Sequence, residues 1–242
     1  MLMRLDLYLY EKSLAFSRTN AKALITEGKV FIDGKAVTKP SFDVLDTHSV
    51  SVSEEDYYVS RGAYKLKGAL DAFGISPKDK HCLDVGASTG GFTDLLLRDG
   101  AAHVIALDSG SGQLAQSLRQ DVRVTSIEGY NARYMRAEEL PYAPDFAVMD
   151  VSFISATHII PALYSVLQSP SDFICLIKPQ FEVGRACVGK GGIVRNEKAA
   201  MAAVDGVIEF AKNVGFKFKG KIKSSILGGD GNVEYLAYFA KE

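Results

Sequence analysis

The sequence predicts an α/β protein: a doubly wound parallel sheet with helices on both faces, preceded by a small α+β domain. Seven strand-like apolar runs alternate with segments of helical length between residues 61 and 242. Residues 1–46 instead show two helical patterns and a hairpin. Residues 41–60 hold five acidic residues and no basic one. We therefore expect two domains, at residues 1–46 and 61–242, joined by an acidic linker at residues 47–60.

The composition is that of a globular protein, with 47% hydrophobic and 24% charged residues. No apolar run reaches the ~18 residues of a transmembrane helix, and the first residues lack signal-peptide features, so no membrane partner is expected. The three cysteines, Cys82, Cys175 and Cys187, are too sparse for a disulfide framework, which favours a reducing cytoplasm. The four histidines show no ligand spacing, so no metal site is predicted.

The net charge of −1 hides an uneven distribution of charge. Residues 1–40 carry seven Lys and Arg against four acids, and residues 61–80 carry five against two. Two basic regions separated by an acidic linker are compatible with a nucleic-acid partner, which the near-neutral total would conceal.

Local signals define the elements of the amino-terminal domain. Leu5 begins a helical pattern, and Ser17 is placed to cap a second helix that runs to Glu27. The pair Asp33 and Gly34 predicts a hairpin, because it readily adopts the left-handed conformations of a tight turn.

A motif that spans this domain resembles the S4-type RNA-binding domain. The matching positions are Arg4, Asp6, Ser17, Arg18, Ala21, Leu24, Ile25, Gly28, Val30, Gly34, Pro40 and Ser41. The resemblance implies a helix pair that presents basic residues to structured RNA. We take as RNA-binding candidates Arg4, Ser17, Arg18 and Lys22. For Arg18 and Lys22 alone, a solvated helix face is the alternative interpretation.

The larger domain contains a glycine-rich stretch, CLDVGASTGGFTDLL, between its first strand and the next helix. A P-loop would need a lysine where Phe92 stands, and a dinucleotide fingerprint would need a glycine where Ser88 stands. Neither phosphate-binding pattern is complete.

Two acidic residues indicate a different ligand. Asp84 precedes the glycine turn and suits a cationic group, and Asp108 closes the next strand, where an acid accepts hydrogen bonds from ribose hydroxyls. A ligand with a ribose, a positive centre and no phosphate is S-adenosylmethionine. The candidate cofactor-binding residues are Asp84, Gly86, Ala87, Ser88, Gly90, Gly91, Phe92, Asp108 and Asn131. A tight strand-to-helix turn with two capping acids is the alternative.

Four charged residues stand at positions that face ligands in open α/β sheets. Asp150 and Lys178 follow buried strands, Lys65 lies on a helix before the first strand, and Glu234 precedes the last strand. Capping and surface exposure are the alternatives for each residue taken alone.

Together these four residues resemble the K-D-K-E tetrad of the FtsJ-like ribose 2′-O-methyltransferases, in the family order. With the amino-terminal domain, the whole chain is similar to the TlyA / hemolysin A family, including its stretches SRGAYKL, DVGASTGGFTD, KPQFE, GGIVRN and GNVEYL. The resemblance implies a Rossmann-like class I methyltransferase fold and S-adenosylmethionine-dependent 2′-O-methylation of cytidine in ribosomal RNA. Following the family, we assign Lys178 as the base and Lys65, Asp150 and Glu234 as orienting residues.

The charges expected around Lys178 have opposing effects on its protonation. A lysine accepts a proton only in its neutral form, which a second lysine and a sulfonium favour. Two carboxylates favour the ammonium instead. The sequence alone leaves this balance open, together with the target nucleotide, the ribosomal subunit and the oligomeric state.

Two further segments are candidates for RNA contact. In FKFKGKIK, Lys217, Lys219, Lys221 and Lys223 alternate, so a strand would place them on one face; protection of a sheet edge is the alternative. The glycine-rich segment 189–196 is a candidate lid. Lys190 and Arg195 of this segment, and Arg61, complete the RNA-binding candidates.

Two other classes of function stay open. The hemolysin label suggests a membrane-active protein, although no strongly amphipathic or apolar segment supports it. An RNA-binding assembly factor that has lost methyltransferase activity is the second alternative, which the intact tetrad disfavours.

Overall fold

The structure is a computed structural model that describes residues 3–12, 14–15, 18–53, 58–184 and 187–242. The chain divides into two compact units, Met1–Val59 and Ser60–Glu242. Each unit has its own hydrophobic core.

The first unit combines two helices with short strands, as expected for a small α+β domain. Its described elements are β1 (Met3–Arg4), α1 (Leu5–Glu11), α2 (Arg18–Thr26), β2 (Val30–Ile32), β3 (Lys35–Ala36), β4 (Asp43–Val44) and β5 (Val50–Val52). Strand β1 pairs with β4, and β2 lies between β3 and β5, all antiparallel. The apolar faces of both helices are buried in one core, which contains Leu5, Leu9, Ala21, Leu24 and Ile25.

The predicted hairpin forms at the Asp-Gly pair. Asp33 has φ 50° and Gly34 has φ 76°, so both residues adopt the left-handed conformations of a two-residue turn. The predicted cap residue Ser17 lies outside the described residues, and helix α2 is described from Arg18 to Thr26.

The second unit alternates strands and helices along the chain. Its elements are α3 (Gly62–Phe73), β6 (His81–Val85), α4 (Gly91–Arg98), β7 (His103–Leu107), α5 (Gln116–Arg119), β8 (Val124–Ile127), β9 (Phe146–Met149), α6 (Ile160–Val166), β10 (Ser171–Ile177), α7 (Pro179–Glu182), α8 (Glu197–Val214), β11 (Lys217–Lys223) and β12 (Tyr235–Lys241). All seven predicted strands are present.

These strands form one sheet in the order β11-β12-β10-β9-β6-β7-β8. Strands β6 to β10 are mutually parallel, as predicted, but β12 runs antiparallel to both β10 and β11. The predicted doubly wound parallel sheet is therefore confirmed, with β12 as its one reversed strand. The chain returns from β11 to β12 through residues 224–234 without a crossover helix, and such a direct return yields antiparallel pairing.

The order of strands reverses at β6, which is flanked by β7 and β9. Chain segments after β6 lead to one side of the sheet, and those after β9 lead to the other. In open α/β sheets this switch point leaves a crevice at the carboxyl ends of the strands. The loops that follow β6, β7, β9 and β10 all begin at this crevice.

The prediction that the four lysines of β11 share one face is wrong. A register shift between Phe218 and Gly220 inserts an extra residue into the pairing with β12. Lys217 lies opposite Ala240, whereas Lys221 lies opposite Ala237. Because Ala240 and Ala237 point to opposite faces of β12, the bulge places these two lysines on opposite faces of the sheet.

Helix α8 covers one face of the sheet. The Asn196 side chain accepts a hydrogen bond from the Ala199 N–H at its start, and the helix ends at Gly215. Its buried residues, Ala200, Val204, Val207, Ile208 and Ala211, recur at helical spacing, and the last four join the core of the sheet.

Two features are absent from the part of the chain that the structure describes. No helix in this part is long and apolar enough to cross a bilayer. The same part also contains no group of three or more His, Cys, Asp and Glu side chains arranged to hold a metal ion. The three cysteines are unpaired, with Cys82 and Cys175 buried and Cys187 exposed.

Candidate active site

The glycine turn between β6 and α4 is packed tightly against the end of β9. Gly86 has φ 85°, and a Cβ at this position would overlap the carbonyl oxygen of Asp150. Gly90 has φ 96°, and a Cβ there would overlap the Leu118 side chain. Both positions therefore need glycine for conformational and steric reasons, which explains this part of the motif without a ligand.

The structure corrects the expected placement of Asp84. Its carboxylate is fully buried within β6, accepts a hydrogen bond of 2.7 Å from the Thr93 hydroxyl, and lines neither cavity of the site. Burial raises the pKa of Asp84 to about 7. Asp84 thus supports the start of helix α4 through Thr93, behind the walls of the two cavities.

Asp84 should make stability depend on pH. Its pKa rises from 3.8 to about 7 on folding. The folded state therefore binds the proton more tightly, so the free energy of unfolding should fall as pH rises from 4 to 7, by up to ~1.4 kcal/mol per pH unit, and then level off. Asp84→Asn should remove this contribution. Urea unfolding of both proteins at several pH values measures the difference, and parallel curves would contradict the assignment.

Asp108 stands at the carboxyl end of β7 and holds two loops. Its carboxylate accepts hydrogen bonds from the backbone N–H groups of Ser88, at 2.8 Å, and Gly110, at 2.7 Å. The acid thereby joins the glycine turn to the loop that follows β7.

A cavity of about 550 Å³ opens between these loops, within the size range of small-molecule sites. Four predicted cofactor-binding residues line it: Gly86, Ser88, Asp108 and Asn131. The Asn131 side chain also accepts a hydrogen bond from the Arg133 N–H. The Asp108 carboxylate in the wall fits a nucleoside, because a carboxylate accepts hydrogen bonds from ribose hydroxyls.

A smaller cavity of about 200 Å³ adjoins the first and shares residues with its wall, including Gly86, Ser88 and Asp150. The predicted residues Ala87, Gly91 and Phe92 line only this second cavity, whereas Gly90 lines neither. The sequence-based set of cofactor residues therefore divides between two neighbouring spaces.

The four charged residues of the predicted tetrad form two ion pairs. Lys65 of α3 lies 2.5 Å from the Glu234 carboxylate, and both side chains are almost completely buried. Lys178 lies 2.5 Å from the Asp150 carboxylate and also donates a hydrogen bond of 2.8 Å to the Ser152 hydroxyl.

Both lysines and Asp150 line the smaller cavity. Lys178 is positioned by the end of β10, because Pro179 begins α7 and prevents the strand from continuing. Glu234 does not line this cavity, but it pairs with Lys65, which does. A hydroxyl group placed in the smaller cavity would therefore meet two lysine side chains at the border of the larger cavity.

Two RNA-binding candidates of the first unit, Arg4 and Arg18, pair with the same acidic residue. Asp6 is fully buried and pairs with Arg4 at 3.0 Å and with Arg18 at 3.2 Å, which lowers the pKa of its carboxyl group. About half of each guanidinium side chain stays exposed. Lys22 is exposed on α2, and Ser17 lies outside the described residues.

The candidates of the second unit lie on two loops. Arg61 is exposed and donates a hydrogen bond of 3.4 Å to the carbonyl oxygen of Leu227. Lys190 and Arg195 are exposed on a segment that the buried Asn232 holds in place. The Asn232 side chain donates a hydrogen bond to the Gly192 carbonyl oxygen and accepts one from the Val194 N–H, both at 2.9 Å. This segment is thus attached two residues before Glu234.

Several residues of the cavity walls are not among the candidates from the sequence. Among them are Ser60, Ser109, Gln113, Tyr130, Ser152 and Phe153. Each lies within five residues of a predicted site residue. Most of them stand in loops that follow strands of the sheet, and this position is the signal that could have identified them.

Comparison with known proteins reveals similarity over the whole chain. The FtsJ-like methyltransferase model matches residues 58–241, and the S4 domain model matches residues 3–49. The 16S/23S rRNA (cytidine-2′-O)-methyltransferase TlyA of Mycobacterium tuberculosis is 46% identical over 237 residues, which are 97% of this chain and 88% of that protein. Hemolysin A of Brachyspira hyodysenteriae is 44% identical over 98% of this chain and 99% of its own length.

Among solved structures, one from Streptococcus thermophilus superposes with a TM-score of 0.76 at 41% identity. It covers 99% of this chain and 88% of its own.

Proposed function

Because this chain belongs to the FtsJ-like methyltransferase family and carries an S4 domain, we propose that it methylates ribosomal RNA. The group transferred is the methyl of S-adenosylmethionine, and the acceptor is the 2′-hydroxyl of a cytidine ribose. The named activity of the Mycobacterium tuberculosis relative supports this choice of nucleotide and bond.

One observation carries the proposal: two lysine–carboxylate pairs meet at a small cavity that adjoins a nucleoside-sized one. An assembly factor without activity would have no need to retain Lys65, Asp150, Lys178 and Glu234 in this arrangement. Burial of the Lys65–Glu234 pair carries a desolvation penalty, and loss of either partner would leave an uncompensated buried charge. Stability alone therefore does not explain why this pair is present.

Each residue has a defined task in this reaction. The bound cofactor supplies an electrophilic methyl group on a sulfonium. Asp108 and Asn131 hold the nucleoside part in the larger cavity, where Asp108 accepts hydrogen bonds from ribose hydroxyls. Lys178 takes the proton of the attacking 2′-hydroxyl, because that hydroxyl is a poor nucleophile at neutral pH. Asp150 and Ser152 fix the direction of the Lys178 amine.

Lys65 has a supporting task. Glu234 keeps its ammonium group in place at the wall of the smaller cavity, where it contacts the acceptor ribose or its phosphate. Correct alignment of hydroxyl and methyl group supplies much of the rate enhancement in such reactions.

The division of labour follows the two compact units. The expected linker at residues 47–60 contributes strand β5 to the sheet of the first unit, so the boundary lies near residue 60 and not at residue 46. The first unit binds RNA through Arg4, Arg18 and Lys22, and the second unit performs the chemistry. Arg61, Lys190 and Arg195 are the residues through which the second unit contacts RNA. An rRNA substrate also implies that the protein acts in the cytoplasm.

Asp108→Ala should weaken the binding of S-adenosylmethionine. The change removes an acceptor for the ribose hydroxyls and releases the Ser88 and Gly110 amides, so we expect a loss of ~1.5–3 kcal/mol. Isothermal titration calorimetry measures it. Asp205→Ala on the exposed face of α8 is the matched control and should bind as the wild type does. Unchanged affinity in Asp108→Ala would remove this residue from the cofactor site.

Deleting residues 1–59, the whole first unit, should reduce methylation of rRNA while cofactor binding stays intact. RNA affinity of the full chain should fall steeply with salt, because Lys and Arg side chains neutralise phosphates. Filter binding at several salt concentrations and initial rates with each protein test this. Intact cofactor affinity is the internal control for folding, and equal methylation efficiency of the two proteins would refute the assigned role.

The function itself is tested with purified full-length protein, labelled S-adenosylmethionine and separate small and large ribosomal subunits. Label should appear in the RNA of at least one subunit, and the arm that receives it identifies the substrate. Label in ribosomal protein, or none in either subunit, would refute the proposed reaction.

A further inference from the structure

The loop that follows β9 has an unusual conformation. Phe153 has φ 64°, in the left-handed region that bulky residues rarely adopt, and 91% of the residue is exposed. Residues 150–154 of this loop also line the larger cavity. Such a conformation persists only where neighbouring contacts fix the chain.

Several contacts fix this loop. The Asp150 N–H donates a hydrogen bond to the Val85 carbonyl oxygen, Ile154 and Ala156 pack into the core, and a further set of contacts comes from one short segment, residues 178–182. Lys178 binds Asp150 and Ser152 at the start of the loop, and the Phe181 ring lies 5.2 Å from the Phe153 ring, centre to centre. These contacts hold its first half.

Glu182 holds the far end of the loop. Its carboxylate accepts a hydrogen bond of 2.5 Å from the Ser155 hydroxyl and another of 2.8 Å from the Ala156 N–H. Ser155 in turn caps the short 3₁₀ helix Ala156–His158, since its hydroxyl oxygen accepts a hydrogen bond from the Thr157 N–H. Glu182 therefore joins α7 to the point where the loop ends.

Glu182 lines neither cavity, so it can affect the reaction only through other residues. Burial raises the pKa of its carboxyl group, while the hydrogen bonds from Ser155 and Ala156 lower it. A half-buried acid whose described hydrogen bonds all go to one loop is placed to hold that loop.

We propose that Glu182 is a positioning residue, which fixes the loop 150–156 so that Asp150 and Ser152 present Lys178 to the acceptor hydroxyl. The inference rests on the proposed methyltransferase function and adds a residue outside the tetrad. Without Glu182 the loop keeps the burial of Ile154 and Ala156, but the Ser155 hydroxyl and the Ala156 N–H lose their acceptor. The cavity wall and the direction of the Lys178 amine are then less firmly fixed.

The test compares Glu182→Ala and Glu182→Gln in the full chain. Glutamine keeps an oxygen that accepts from the Ala156 N–H and an amide that donates to the Ser155 hydroxyl, so it should retain most activity. Alanine should lower kcat by about 10- to 100-fold, with a smaller change in KM for the cofactor, because misplacement of reacting groups affects the chemical step. Glu209→Ala, at an exposed position of α8, is the matched control and should behave as the wild type.

A second readout does not depend on activity. The sequence contains no tryptophan, so Phe153→Trp introduces a single fluorophore into the loop. Fluorescence anisotropy of this reporter should fall when Glu182→Ala is added and should stay unchanged with Glu182→Gln.

These readouts separate the two proposals. Absence of methyl transfer by the wild-type chain would refute the function, and the anisotropy would still decide the role of Glu182. Wild-type kcat in Glu182→Ala, equal loss in both variants, or unchanged anisotropy would each overturn the inference.

Discussion

Lys178→Ala should lower the rate of methyl transfer by about 10²- to 10⁴-fold, the usual contribution of a positioned general base. The substitution removes the amine that lies 2.5 Å from Asp150 and 2.8 Å from the Ser152 hydroxyl at the wall of the smaller cavity. Binding of cofactor and RNA should be nearly unchanged, since both depend mainly on other residues. Single-turnover transfer measured across a range of pH isolates the chemical step.

The companion variant is Lys178→Arg. A guanidinium keeps a positive charge at this position but stays protonated at any working pH, so it cannot accept the proton. We expect it to be as inactive as Lys178→Ala. A near-normal rate in Lys178→Arg would mean that Lys178 acts through its charge alone and that the proton leaves by another route.

Lys65→Met should lower the free energy of unfolding by ~3–5 kcal/mol, because it leaves the Glu234 carboxylate buried without its partner. The double variant Lys65→Met, Glu234→Gln removes both charges and should recover much of that loss. Urea unfolding of the wild type, both single variants and the double variant gives the coupling between the two sites.

A further variant, Lys65→Ala, distinguishes the two lysines in catalysis. If Lys65 only positions the substrate, Lys65→Ala should retain a measurable single-turnover rate under conditions in which the protein is folded. Equal destabilisation of the single and double variants would contradict the buried pair. A complete loss of rate in folded Lys65→Ala would contradict the distinct roles of the two lysines.

The strands could be predicted from sequence because their apolar runs are long and bounded by glycine, proline or charge. Lys178 illustrates this: Pro179 ends its strand, so its place at the carboxyl edge of the sheet followed directly. The direction of β12 and the bulge in β11 could not be predicted, because pairing between distant segments determines both.

The site was less predictable than the fold. Strand β6 is buried on both faces except at His81, so its sequence pattern does not reveal which way Asp84 points. The choice of partners within the tetrad depends on long side chains that reach from different elements. Glu182 stood in a recognised stretch, KPQFE, but its contacts to Ser155 and Ala156 arise only after folding.

Alkaline hydrolysis of the methylated RNA tests the central claim most directly. Alkali cleaves RNA through attack of each 2′-hydroxyl on the adjacent phosphodiester, so a 2′-O-methyl group protects the bond next to it. After transfer of labelled methyl groups by the wild-type protein, we predict that the label is recovered in an alkali-resistant dinucleotide whose first nucleoside is 2′-O-methylcytidine. Label recovered in mononucleotides would show methylation of a base and would contradict the account of this site.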